Sequence, residues 1–254
     1  MKLLRFLSLG VAGIALALFF AESAFAETLI PSVTINTAGG KGMTGSEVYT
    51  GLKLTILISS LVYLPSLIMT ATCFSRIAIV LSMVRHALGT AQTPPNQVLI
   101  GMALFLTFAV MSPVFSRMID SGINPYMDGK IDEKIAVTET LRPLREFMFR
   151  QTRDSDMNLM LDISRGPAPQ TFDDLPTSVL IPAFILSELK TAFQIGFMLY
   201  IPFVVIDMII SMILLAMGMM VLPPVLISLP FKVMLFVLVD GWDLVISSLI
   251  QSFR

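Results

Sequence analysis

The last third of the chain restricts its fold more than any other feature. Between residues 179 and 253 only six side chains carry charge (Glu188, Lys190, Asp207, Lys232, Asp240 and Asp243), and the one clear interruption is Leu222-Pro223-Pro224. Two apolar arms joined at a double proline read as a helical hairpin, each arm longer than the ~20 residues that cross a bilayer. The excess length predicts tilt, packing beyond the membrane, or kinks at Pro202 and Pro230, where the ring removes a backbone donor. Two further apolar stretches, 48–83 and 98–118, form a first hairpin. Pro65 is expected to kink or divide its first arm, and Pro94-Pro95 makes the 89–97 segment a loop. The chain therefore reads as an all-α membrane protein: two long helical hairpins, about four transmembrane-type helices, at 48–118 and 179–254. A polar, partly helical region, 119–178, lies between them.

The charge distribution supports this class. Apolar residues make up 55% of the chain and charged residues 14%, against about a quarter charged in soluble domains. Of the 35 formal charges, 18 fall between Asp120 and Asp174, so the remainder is nearly bare. A net charge of -1 gives no reason to expect nucleic acid as a partner. One cysteine, Cys73, excludes an internal disulfide and a Cys-cluster metal site, and one histidine, His86, removes most histidine-based catalysis. Cys73 is expected to be a packed apolar residue and His86 a loop residue. No enzyme, metal or cofactor is expected.

The amino terminus has the pattern of a secretory signal. Lys2 and Arg5 precede an apolar run at 6–21, and Ala24-Phe25-Ala26 supplies a small-x-small cut site. Residues 1–26 are expected to be removed, leaving a flexible, Gly-rich segment at 27–47. Its Gly39-Gly40-Lys41-Gly42 lacks the spacing and the hydroxyl residue of a phosphate loop. With the signal removed, four spans put the 85–97 loop and the Pro223-Pro224 turn in the cytoplasm and the 119–178 region on the periplasmic side. The lysine and arginine count does not decide orientation, because that region is about 60 residues long, where the positive-inside rule weakens. Within it, Leu141, Leu144, Phe147 and Met148 recur at spacings of three and four and predict an amphipathic helix over about 138–152. Gly166-Pro167-Ala168-Pro169 and Asp173-Asp174-Leu175-Pro176 have the chemistry of loops.

Two features of the hairpins carry function. A charge at the bilayer centre costs ~2.5–3.5 kcal/mol even on the lenient scale. Glu188, Lys190, Asp207, Lys232, Asp240 and Asp243, with Arg76 of the first hairpin, should therefore face protein or water. They are either buried or inter-subunit ion pairs that fix helix register, or a pathway for protons or solutes. No histidine chain or carboxylate relay accompanies them, which favours the ion pairs. The other feature is methionine: Met208, Met212, Met217, Met219 and Met220 crowd the approach to the prolines. Composition alone favours ordinary filling by an adaptable side chain; the alternative is a deformable apolar constriction that excludes ions by dewetting. An ion- or proton-coupled carrier remains an alternative, although carriers often show repeats in both halves and these hairpins differ. A membrane enzyme holding a metal on Asp154, Asp156 and Asp162 lacks the glycine turn of a ligand loop.

Long strings resemble one family. They are Leu88-Gly89-Thr90, Pro94-Pro95-Asn96-Gln97-Val98-Leu99 and Met111-Ser112-Pro113 in the first hairpin, and Pro143-Leu144-Arg145-Glu146-Phe147-Met148 with Arg150-Gln151-Thr152-Arg153 in the polar region. The second hairpin adds Pro182-Ala183-Phe184-Ile185-Leu186-Ser187-Glu188-Leu189-Lys190-Thr191-Ala192-Phe193, Leu229-Pro230-Phe231-Lys232 and Val239-Asp240-Gly241-Trp242. Over about 47–254 the chain resembles the FliP family of type III export gates, in its flagellar branch. The resemblance implies a homo-oligomer, a pentamer in the family, at the base of the flagellum in the bacterial inner membrane. It also implies FliQ-like and FliR-like membrane partners, contact with lipid, and a central channel for unfolded export substrates. It places a methionine-rich gate loop before the double proline, here Met217, Met219, Met220 and Val221, with valine where the family has a third methionine.

Overall fold

The computed structural model describes residues 45–90, 93–165, 169, 171–219 and 222–253. The expected signal peptide, the 27–44 segment, the Gly166-Pro167-Ala168 turn, Met220 and Val221 lie outside them. The chain forms two compact units, one ending at Ile58 and one running from Ser59 to Arg254. In the first unit the described residues are the opening turns of α1 (Gly45–Thr70), where Tyr49, Leu52, Leu54, Ile56 and Ile58 are exposed.

The second unit continues through α2 (Phe74–Ala87) and α3 (Asn96–Met118). A π-helical turn at Ile119–Ile123 leads α3 into the short α4 (Asn124–Met127). Then follow α5 (Glu133–Gln151), α6 (Asp154–Ser164), α7 (Thr177–Ala216), α8 (Pro224–Leu238) and α9 (Gly241–Gln251). Among the described residues every regular element is helical.

The core forms where α2 lies against α7, with α3 against α2 and α5, and α5 and α6 against α7. On α2 the buried residues Arg76, Ile77, Val80, Leu81, Val84 and Ala87 recur at three and four, which is one face of a 3.6-residue helix. The 40 residues of α7 extend about 60 Å at 1.5 Å per residue. Its opening turns bury Val179, Leu180, Ala183, Phe184, Ser187, Glu188, Ala192 and Gly196. Gly196 sets the approach of the two helices: a Cβ there would lie 2.2 Å from Met83 Sδ and 3.1 Å from Met83 Cβ. Phe184 meets Phe147 of α5 edge to face, with ring centroids 6.0 Å apart.

Several expectations need correction. The first arm divides at 71–73, where Cys73 is fully buried, and runs as unbroken helix through Pro65. His86 is not in a loop; it is exposed in the last turn of α2. α7 and α8 are not broken at Pro202 and Pro230, where a helix can kink and still continue. In an apolar helix the lost bond of one proline can be absorbed by neighbouring groups. The second arm bends instead by 65° between α8 and α9, because Asp240 takes a left-handed conformation at φ 50°, which aspartate tolerates better than most residues. In the polar region, α5 begins earlier than the apolar spacing indicates, and the acidic 154–162 segment lies in the helix α6. Among the described residues, two helices are long and apolar enough to cross a membrane, Asn96–Met127 and Thr177–Ala216, or up to three if the bent α8–α9 pair is one span.

Candidate functional site: ion pairs and a helix end on α7

Three ion pairs bind α7 to other elements. The most buried joins Arg76 of α2 to Glu188, whose side chains are 2% and 0% exposed. Arg76 Nε donates to Glu188 Oε2 at 2.9 Å, and Nη2 donates to Glu188 Oε1. The rest of the guanidinium is also spoken for. Nη2 donates to Gln151 Oε1 at 3.0 Å, and Nη1 to Ser252 O at 3.0 Å and Ser252 Oγ at 3.1 Å. The Phe253 ring lies over it, 4.0 Å from Cζ to the centroid. All five N–H groups are thus used, which is the condition for burying such a cation without a large penalty. The hub fastens α2, the end of α5, α7 and the residues after α9 to one another.

One residue before Glu188, a second cluster begins. Ser187 Oγ donates to Asp156 Oδ2 at 2.8 Å, and Lys190 Nζ donates to Asp156 Oδ1. Asp156 is 1% exposed and Lys190 46%. The backbone N–H of Arg153 donates to Ser187 Oγ at 3.0 Å, and its guanidinium reaches Thr191 Oγ1 at 3.0 Å and Gln194 Oε1. Burial pushes the Asp156 carboxyl up, but the hydrogen bonds from Lys190 and Ser187 and the charges of Lys190 and Arg153 outweigh it and hold it below the usual carboxylate range. Segment 187–194 of α7 is thereby stitched to the start of α6.

The third pair lies further along. Lys232 of α8 meets Asp207 of α7 at 2.6 Å and also donates to Ala87 O at 3.3 Å, at the C-terminal end of α2. Ser228 Oγ donates to the other carboxylate oxygen of Asp207. Asp240 and Asp243 are different: both are exposed on this chain and form no ion pair with the described residues. They also do not share one helix face, since Asp240 is the left-handed residue ahead of α9.

The end of α7 is built by its own backbone rather than by the double proline. Gly218, at φ 72°, lets its N–H reach Leu215 O at 3.0 Å while Met219 N–H reaches Leu214 O at 2.9 Å. That pair of bonds is the Schellman arrangement that closes helices at glycine. Pro223 and Pro224 instead begin α8, where a missing N–H costs nothing. Met217 and Met219 emerge exposed, at 65% and 43%. The cost of charge in an apolar hairpin points to Arg76, Glu188, Lys190, Asp207, Lys232, Asp240 and Asp243, but not to Gln151, Arg153, Ser187, Ser228, Ser252 or Phe253. The signal for Ser228 was its place four residues before Lys232, on one helix face. Asp156, weighed as a metal ligand with Asp154 and Asp162, has its oxygens occupied by Lys190 and Ser187, and among the described residues no group of three such side chains converges.

Long apolar helices, with charges locked inside their contacts, define a helical membrane protein. The sequence model of the FliP family matches residues 57–249. The flagellar biosynthetic protein FliP of Bacillus subtilis is 51% identical over 202 residues, covering 80% of this chain and 91% of the relative. Its counterpart in Pectobacterium carotovorum is 47% identical over 244 residues, 95% of this chain and 92% of the relative. That of Treponema pallidum is 48% identical over 83% of this chain and 78% of its own. The chain belongs to the FliP family.

Proposed function

We propose that this chain is a non-enzymatic subunit of the flagellar type III protein export gate in the bacterial inner membrane. Side by side with further copies and with FliQ-like and FliR-like partners, it lines a channel for unfolded substrates. Beyond family membership, one observation carries the reading. The second half of α7 leaves Phe197, Met198, Ile201, Val205, Met208, Ile209, Met212 and Ile213 exposed, and ends in the exposed Met217 and Met219. A face of that extent on one chain calls for lipid or neighbouring subunits. Repeated around an axis, Met217, Met219, Met220 and Val221 form an apolar ring that closes around nothing and yields to a passing chain. In this reading α1 with α2, α3, α7, and α8 with α9 make the four arms. The 119–178 region then stands in the periplasm, and Asp240 and Asp243 are left to meet neighbours. A carrier using the other charges would need them to change partners, whereas Arg76 spends every N–H on fixed acceptors.

Replacing both Met219 and Met220 with Gly should leave assembly intact and make membranes carrying the complex permeable to small dyes; the Leu variants should leak less. Gly variants that assemble and stay as tight as the parent would place the barrier elsewhere.

A further inference from the structure

Very little seats α8 on the rest of the chain. It buries only Ser228, Lys232 and Phe236, one stripe at intervals of four, and the first two belong to the Asp207 cluster. The end of α2 completes the arrangement. Lys232 Nζ donates to Ala87 O, one of the carbonyls a helix leaves without an intrahelical partner. The chain then turns at Gly89, with φ 78°, and a Cβ built there would lie 3.8 Å from Val225 Cγ1 and 3.9 Å from Lys232 Nζ. Val225 is in the first turn of α8, directly after Pro223-Pro224. The C-terminal turn of α2, the first turn of α8 and the cation of α8 therefore form one contact.

We infer that Lys232 is a latch: it ties the start of α8, and with it the connection from α7, to the Ala87–Gly89 turn, so that displacing this turn frees the connection. One ammonium serves two acceptors on different helices, so losing either weakens the hold on the other. What then remains is Ser228, still donating to Asp207, and Phe236, packed on Phe203 and Trp242 with centroids at 6.3 and 5.3 Å. The Asp207 side chain is 26% exposed on this chain, so a polar group of a neighbouring subunit, or water in the assembled channel, can take the place of the ammonium when the latch opens. Arg76 and Glu188 have no such access, which separates a releasable tie from a permanent one. The inference rests on the export-gate reading only for its consequence, a change in permeability; the coupling itself is read separately.

The test uses the full chain assembled with its partners in membranes, with Leu222→Cys as reporter in the α7–α8 connection. Leu222 is exposed, and the single native cysteine, Cys73, is fully buried. Lys232→Met removes the tie, and Gly89→Ala keeps both charges but strains the turn, whose φ of 78° an L side chain rarely adopts. Each should speed maleimide modification of the reporter about tenfold, while Arg142→Ala in the polar region leaves the rate unchanged. A parent rate in the Gly89→Ala background overturns the latch, including when Lys232→Met fails to assemble, because Lys232 is then only a structural post. Faster modification with no added dye leakage upholds the latch and counts against the export-gate reading. Leakage from the Met219→Gly variant alongside parent modification rates in both latch backgrounds does the reverse.

Discussion

The two halves of α7 belong to one unbroken helix and have opposite fates. Up to Gly196 the helix buries a continuous stripe and exchanges charge with α2 and α6; beyond it only Phe203 and Leu214 are buried. Both are apolar enough to count as one span, but the second half is the more apolar. The difference is the polar residues set at helical spacing in the first half, Ser187, Glu188, Lys190, Thr191 and Gln194, each with a partner elsewhere in the chain. The second half has Asp207 alone. A chain in lipid gains little from bringing one apolar surface against another, so what fixes this fold is close packing and satisfied polar groups. The first half is completed by its own chain, and the second is left for lipid or another subunit.

Breaking the first half should cost most. Glu188→Ala leaves Arg76 buried without its counter-charge, and removing one partner of such a pair costs ~3–5 kcal/mol. Thermal unfolding of the extracted protein should show that loss, partly recovered when Arg76→Met is added. A variant as stable as the parent would mean that Gln151, Ser252 and Phe253 suffice to hold the guanidinium. Next comes Gly196→Val, which drives a side chain into Met83; overpacking of this kind costs ~1–3 kcal/mol, measured in the same way. Phe197→Ala, one residue along on the exposed face, should change the stability of the chain by no more than ~0.5 kcal/mol while reducing recovery of the assembled complex. Equal losses at the two positions would erase the contrast between the halves.

The smallest effect is one of pH. Asp156 has a folded pKa held below its unfolded value. Its contribution is therefore fully present above the unfolded carboxylate value of about 3.9 and is lost as pH falls through the lower folded value. Hydrogen exchange of the α6 amides should accelerate as the pH drops below about 4, and Asp156→Asn should remove that dependence. If the parent and Asp156→Asn respond alike, other groups dock α6.

Much of this protein was legible locally. Apolar runs, the Pro94-Pro95 and Pro223-Pro224 interruptions, the amphipathic spacing in α5 and the long family strings gave the helical membrane class, because each depends on neighbours within a few residues. The strings around Glu188 and Lys232 likewise marked the charges that had to be satisfied. Where helices stop was harder to read. Prolines drew attention, yet Pro65, Pro202 and Pro230 lie within continuous helices, while Gly218 and Asp240, which allow left-handed backbone, end α7 and α8. A proline forfeits one hydrogen bond that packing can offset; a left-handed residue redirects the chain outright. The partners of the charges were not legible at all. Arg76 and Glu188 stand 112 positions apart and Lys232 and Ala87 145 apart. Nothing in the sequence places Asp156 beneath Lys190 rather than among solvated acids. Those pairings depend on the register in which α2, α6 and α8 pack along α7, set by close approaches such as Gly196 on Met83. Register is a property of surfaces meeting, so only the tertiary structure decides it.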